Sequence, residues 1–349
     1  MGTNEALDAD GALRRSLLKM AAAGPLAAAM AARASAERPQ ARQQPAGSIF
    51  VKHAYAEQQV DLGEVVMNYA TAGSPGTPAL LLMPPQTRSW WNFEAAMKLL
   101  AADFQVFAVD LRGQGRSSRT PGRYTLDNMG NDLVRFVDLV IKRPVITSGC
   151  SSGGLLSAWM SAYAPPGVVR GSHYEDPPLF ASELTPPFGP GIRQTEPGQR
   201  FALMVQYLGD QWSVGDWAGF QRASAGGRAA PVGTPAGSEP PQNMKEYDPE
   251  WARSFYEGTV ARSCDHRQML KQVKVPVLFT HHRRAVDPNT GALIGALSDF
   301  QAQKVKELVE SAGQKCEYVS LPDAAHAMHQ ADPQRFVGVL RPWAMKLPA

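Results

Sequence analysis

From about Gly47 onward, short apolar runs alternate with amphipathic stretches, the pattern of a mostly parallel sheet covered by helices. Residues 65–69 and 79–83 read as early strands and 104–109 as another. Thr125 can cap a helix whose apolar positions Leu126, Met129, Leu133, Phe136, Val137 and Val140 recur at three- and four-residue steps. That helix leads into the apolar run 145–147, followed at once by a helical stretch over 152–164. Residues 168–174 and 275–280 read as the sixth and seventh core strands. Between them the pattern breaks. Pro177-Pro178, Pro186-Pro187, Pro190 and the Gly/Pro/Ala-rich stretch 225–241 cut this region into short pieces, which suits an inserted cap better than core. Two helices are readable inside it, at 199–208 and 249–260, and Trp212, Trp217 and Trp251 add bulky rings that pack a cap onto a core or line a pocket. Past the seventh strand, Ser298 opens a helix running to Gly313, a strand that reads as exposed covers 316–321, and a last helix begins near Pro333.

Composition sets outer limits. The 349 residues, 44% of them hydrophobic, can bury a large core. The formal charge of +3 comes without a run of basic residues, so the electrostatic footprint of a nucleic-acid binder is missing and a small-molecule partner is expected. Three scattered cysteines, Cys150, Cys264 and Cys316, make no disulfide framework and leave Cys264 with Cys316 as the one candidate bridge. The histidine clusters His281-His282 and His326-x-x-His329 lack the local carboxylate of a metallohydrolase helix, so neither a metal nor another cofactor is expected. At the start of the chain, Arg14-Arg15, an Ala-rich apolar stretch to Met30 and Ala34-Ser35-Ala36 read as a twin-arginine-type export signal over 1–36, directing the protein out of a bacterial cytoplasm already folded. The stretch is broken by Gly24-Pro25 and is too short to span a bilayer. The expected organisation is a signal over 1–36, the first part of the core over 37–176, a cap over 177–272 and the second part of the core over 273–349.

Chemistry enters at Gly149-Cys150-Ser151-Ser152-Gly153, where an apolar strand turns into a helix. A serine on such a turn sits in strained backbone geometry and needs small residues two positions before and after it. Gly149 and Gly153 meet that need for Ser151, while Ser152 has Cys150 and Gly154 at the same offsets. A serine hydroxyl becomes a nucleophile only when a base takes its proton, and the base needs a carboxylate to orient it. His326, in the loop after the last strand, fits the base, with His329 as competitor. Asp287, after the seventh strand, fits the acid; Glu175 and Asp176, after the sixth, are the alternative. An oxyanion needs two backbone donors. One is expected from Ser152; Pro84-Pro85 have no N–H, so the other falls to Gln86 or Thr87, with Gln86 preferred and its side-chain amide also within reach of a substrate.

These features, together with Asp110-Leu111-Arg112-Gly113-Gln114-Gly115-Arg116-Ser117 after the fourth strand, resemble the α/β-hydrolase superfamily over nearly everything from residue 48 to the C-terminus. Pro84-Pro85, in place of the usual His-Gly, and a longer acid loop depart from it. The spacing of Ser151, Asp287 and His326, with the segments 124–131 and Glu175-Asp176-Pro177-Pro178-Leu179-Phe180, is similar to bacterial zearalenone hydrolases, lactonases that open a resorcylic macrolactone. The resemblance implies an α/β-hydrolase fold, a mostly parallel central sheet flanked by helices with an inserted mainly helical cap, and an esterase or lactonase acting on a bulky apolar ester or lactone. Trp90, Trp91, Trp212 and Trp217 could line its pocket. A carbon–carbon bond hydrolase of ring-fission products and a general carboxylesterase are the enzymatic alternatives, and a hydrolase-like ligand-binding protein is the non-enzymatic one. Serine rather than aspartate at the turn argues against epoxide or haloalkane chemistry.

Overall fold

Five consecutive fully buried residues form strand β3, Ala79–Met83, near the middle of the sheet. The computed structural model describes residues 49–209, 214–226, 239–289 and 293–348. Its main sheet has eight strands: β1 Glu57–Asp61, β2 Val66–Ala72, β3, β4 Gln105–Val109, β5 Val145–Cys150, β6 Val169–Glu175, β7 Val277–His281 and β10 Cys316–Ser320. They lie in the order β1-β2-β4-β3-β5-β6-β7-β10. The first two pairings, β1 with β2 and β2 with β4, are antiparallel, and all the others are parallel. Helices on both faces bury the central strands completely, which is why they read as unbroken apolar runs rather than alternating ones. A separate hairpin pairs β8, Ala285–Val286, with β9, Leu293–Ile294.

The covering helices are α1 Glu94–Leu100, α2 Leu126–Phe136, α3 Ser152–Tyr163, α8 Asp299–Ser311 and α9 Pro333–Ala344, with α4 to α7 in the insert between β6 and β7. The Thr125 hydroxyl accepts from Asn128 N at 3.2 Å and starts α2; Ser298 starts α8 with a reciprocal cap on Gln301. The insert carries α4 Glu196–Tyr207, α5 Trp217–Gly226, α6 Glu250–Tyr256 and α7 His266–Leu270, a helical content that fits a cap. Residues 45–349 make one compact unit. The expected export signal and Trp212 lie outside the described residues. Among the described residues no helix is long and apolar enough to cross a membrane. The candidate bridge between Cys264 and Cys316 does not form. All three cysteines are free and buried, and Cys264 Sγ instead lies 3.6 Å from Met269 Sδ.

Candidate active site

The carboxyl ends of β5, β6 and β7 and the loops after β3 and β10 converge on one place. At the end of β5, Ser151 has φ 55° and ψ −114°, outside the regions an L-residue ordinarily occupies. The two flanking glycines make this turn sterically allowed. A Cβ at Gly149 would lie 2.1 Å from Gly153 O, and one at Gly153 would lie 2.2 Å from Met83 O. Ser151 N donates to Glu175 O at 2.8 Å, tying the turn to the end of β6. Of the two serines, Ser151 is the strained, half-buried residue, whereas Ser152 is buried at the first position of α3.

His326 stands beside this turn, its backbone oxygen 3.5 Å from Cys150 Sγ. Its Nδ1 donates to Asp176 Oδ2 at 2.6 Å. Burial works against a charged imidazole, but the hydrogen bond and charge of Asp176, joined by Glu175, outweigh it and hold the His326 pKa above its ordinary value. For Asp176 burial pushes the other way and is again outweighed, by His326 and by His282, so its pKa falls below the usual range. Asp176 is anchored on every side. Its N donates to Thr280 O at 2.9 Å, its Oδ1 accepts from His282 N at 3.0 Å, and its φ of 45° swings the carboxylate out of the strand's alternation. Ser151 Oγ and His326 are not hydrogen-bonded to each other in this state. Separations of this kind are common in ligand-free hydrolase sites.

The carboxylate that the structure sets on His326 is thus Asp176, from the alternative position, where Asp287 was preferred. Asp287 follows β8 in the β8–β9 hairpin, where its Oδ1 accepts from Asn289 N at 2.8 Å. Glu175 has a different partner. Its two oxygens accept from His329 N at 3.0 Å and Nδ1 at 2.8 Å, while His329 Nε2 lies 3.1 Å from Asn92 Oδ1, all fully or nearly fully buried. His329 is thus occupied behind the site rather than competing at Ser151. Among the described residues Cys150, Glu175 and His329 are the one group with metal-ligand spacing, but there His329 Nδ1 and Glu175 Oε2 already satisfy each other.

The loop after β3 packs directly on the elbow. Pro85 to Arg88 form a tight turn, Arg88 N donating to Pro85 O at 3.2 Å, with Thr87 at φ 65° in its third position. Neither Gln86 N nor Ser152 N finds an acceptor among the described residues, which leaves both free to face a developing oxyanion. The side chain of Gln86 is tied to the insert, its Nε2 donating to Tyr247 Oη at 2.6 Å. The insert clamps this loop at further points, Asn243 Nδ2 donating to Thr87 O at 2.8 Å and Ser89 Oγ and Trp91 Nε1 donating to Glu246 Oε2 at 2.9 and 3.0 Å.

The pocket tryptophans divide. Trp90 is completely buried, its indole N–H donating to Glu57 Oε1 at 2.8 Å, and it packs as a core residue. Trp91 is half-buried and stacks on His53 with centroids 5.2 Å apart; Trp217 is buried against Phe220 in α5. Two further histidines support the site: His282, which the sequence marks only as part of a histidine pair, and His173, which it does not mark at all. His282 Nδ1 donates to Ala325 O at 2.9 Å and so holds the His326 loop, while His173 lies between Ser148 and Thr280, its pKa pushed down by burial to about 3. Only the buried setting of their strands, His173 in the sixth and His282 just past the seventh, could have marked them. Two open cavities, about 190 Å³ beside Tyr124 and Arg253 and about 330 Å³ beside Arg193 and Tyr256, are walled by neither Ser151 nor His326. Chemistry rather than volume locates the site.

A family model described as the alpha/beta hydrolase fold matches residues 75–201. The chain is similar to 3-oxoadipate enol-lactonase 2 of Acinetobacter baylyi, 28% identical over 102 residues that cover 29% of this chain and 38% of that protein. The match thus spans well under half of that relative's length. Among solved structures, E-2-(acetamidomethylene)succinate hydrolase superposes with a TM-score of 0.59 at 19% identity, covering 83% of this chain and 99% of that one. The enol-lactonase of Burkholderia xenovorans gives 0.58 at 16% identity, with 83% and 100% covered. The chain has the α/β-hydrolase fold.

Proposed function

We propose that this α/β hydrolase is a serine hydrolase of carboxylic esters or lactones, with Ser151 as nucleophile, His326 as base and Asp176 as the acid that orients it. The observation carrying the reading is the strained serine between two glycines whose replacement would clash, beside a histidine whose far nitrogen is fixed by a buried aspartate. In this reading Asp176 holds the His326 proton on Nδ1, which leaves Nε2 to accept the Ser151 proton as its oxygen attacks the carbonyl carbon. The oxyanion that forms is met by the amides of Gln86 and Ser152, assisted by the N-terminal end of α3. His326 returns the proton to the leaving alkoxide, and water, deprotonated by the same nitrogen, releases the acid. From a lactone, alcohol and acid stay in one product. The enol-lactonases among the similar proteins support an ester or lactone bond as the target.

A fluorophosphonate probe tests the nucleophile. Labelling of the intact protein should disappear in Ser151→Ala, and an unlabelled wild type, or equal labelling of that variant, overturns the reading. Mass spectrometry of products from zearalenone, simple esters and ring-fission ketones then assigns the bond. Zearalenone heads that panel because of the resemblance of the Glu175-Asp176-Pro177-Pro178 segment; no turnover of it removes the macrolactone substrate and leaves the hydrolase.

A further inference from the structure

The loop after β3 is strained, and a strained loop keeps one shape only where its surroundings over-determine it. Thr87, a β-branched residue, sits at φ 65° in the turn that carries Gln86. That turn is closed by one backbone bond, from Arg88 N to Pro85 O at 3.2 Å, at the long end of the usual range. Most of what holds it comes from one stretch of the insert. Tyr247 Oη accepts from Gln86 Nε2 at 2.6 Å, and Asn243 Nδ2 donates to Thr87 O at 2.8 Å. Glu246 Oε2 accepts from Ser89 Oγ at 2.9 Å and from Trp91 Nε1 at 3.0 Å. Glu246 is buried, and its other oxygen accepts from Gln242 Nε2 at 2.6 Å, so both oxygens are committed. Between those two contacts Asp110 Oδ1, from the core, accepts from Trp90 N at 2.7 Å. Ser89, Trp90 and Trp91 are thus gripped alternately by insert and core, and a shift of the loop would break bonds to buried carboxylates.

Such a grip positions the loop only if the gripping segment is itself fixed. Asp248 N donates to Gly113 O at 2.9 Å, and the buried Asp248 carboxylate accepts from Arg119 Nε at 2.6 Å and from Tyr124 Oη at 2.5 Å. Trp251 Nε1 donates to Arg112 O at 2.6 Å, and Tyr247 pairs with Gln114 in an isolated antiparallel bridge. Residues 247–251 are therefore fastened to the turn after β4. Asp110 organises that same turn, its Oδ2 accepting from Arg116 N at 3.0 Å. This part of the insert is a brace that runs from the β4 turn to the loop carrying Gln86.

We propose that residues 242–247 position the oxyanion loop, with Asn243, Glu246 and Tyr247 as positioning residues that hold the Gln86 amide in the one direction an oxyanion needs. The catalytic role rests on the reading of Ser151 as nucleophile and Gln86 as donor; the hold on the loop does not. Because these side chains act through the loop, their loss should lower kcat and spare KM.

Tyr247→Phe, which deletes one oxygen, and Glu246→Gln, which keeps the side-chain volume, test separate ties in the full-length protein. In each, the amides of residues 88–92 should exchange with solvent at least about 10-fold faster, while those of β5 keep their wild-type protection. With p-nitrophenyl butyrate, kcat should fall by about 10–100-fold and KM stay within about twofold. Inhibition by trifluoroacetophenone, whose adduct with a serine presents an oxyanion, should weaken by the factor lost in kcat/KM. Unchanged exchange in both variants overturns the proposal. So does faster exchange with kcat and ketone inhibition intact, which would make the ties structural only, or a loss confined to KM, which would make them substrate contacts. Two ties are tested so that one variant that does not fold leaves the other to decide. A wild type that neither turns over an ester nor takes up a fluorophosphonate sinks the hydrolase reading instead, and faster exchange in the variants then still supports the hold on the loop.

Discussion

Asp176 carries the clearest single-residue consequence, because its carboxylate both fixes the proton on His326 Nδ1 and raises that histidine's pKa. The base works only when neutral, so kcat/KM should climb with pH through a range above that of an ordinary histidine. Asp176→Asn removes the charge that favours imidazolium, which shifts the acidic limb to lower pH, and it should cut kcat by about 10³–10⁴-fold through the lost tautomer. Asp287→Asn should leave both limb and rate near wild type. Paired pH–rate profiles of the two variants check this, and a large loss at Asp287 with an active Asp176→Asn would reverse the assignment. The proposed nucleophile and base, Ser151 and His326, were legible from residue types and spacing because an elbow demands glycines and a base demands a loop after the last strand. The proposed acid was not, since two loops on neighbouring strands offered carboxylates and the bond from His326 Nδ1 to Asp176, a tertiary contact, is what distinguishes them.

Among the elements, the β5–α3 turn tolerates the least change. Gly153 touches the backbone of Met83 and Pro84, so the same contact that permits the elbow also sets the height of the oxyanion loop above it. Gly153→Ala forces a Cβ against a carbonyl that cannot rotate away, and it should destabilise the protein by about 1–3 kcal/mol while lowering kcat. Thermal unfolding with parallel kinetics measures both; an unchanged Tm would mean that the loop yields freely and that the contact is not what holds it. The buried strands and capped helices could be read from the sequence because apolar runs and Thr125 or Ser298 caps have local causes. Strand β1, with the sequence Glu-Gln-Gln-Val-Asp at the sheet edge, has no apolar run to betray it, and its place depends on pairing with β2. The clamp that the segment 242–247 places on residues 86–91 is likewise tertiary, and no periodicity announces it.

Across the whole molecule, two adjacent acids at the end of β6 meet two histidines three residues apart, and the two pairs do different work. Asp176 with the part-exposed His326 sits beside the Ser151 turn, whereas Glu175 with His329 and Asn92 is sealed inside, joining β6 to the turn Met328–Ala331 and to the segment before α1. Burial alone would raise the Glu175 pKa. The hydrogen bond and electrostatic pull of His329, helped by His282 and His173, reverse that and hold it well below the usual carboxylate range. A carboxylate with a depressed folded pKa contributes stability that is fully present above its unfolded value of about 4.3 and is lost as pH falls below it. Glu175→Gln should therefore cost about 3–5 kcal/mol at neutral pH by leaving His329 without its carboxylate. The gap from wild type should narrow as pH drops from about 5 toward 3, because the wild type then begins to lose the same interaction. Unfolding midpoints of the two proteins across that range decide the point. Converging curves identify charge pairing as the cause, while a constant gap would show that Glu175 holds the fold by shape and hydrogen bonding alone.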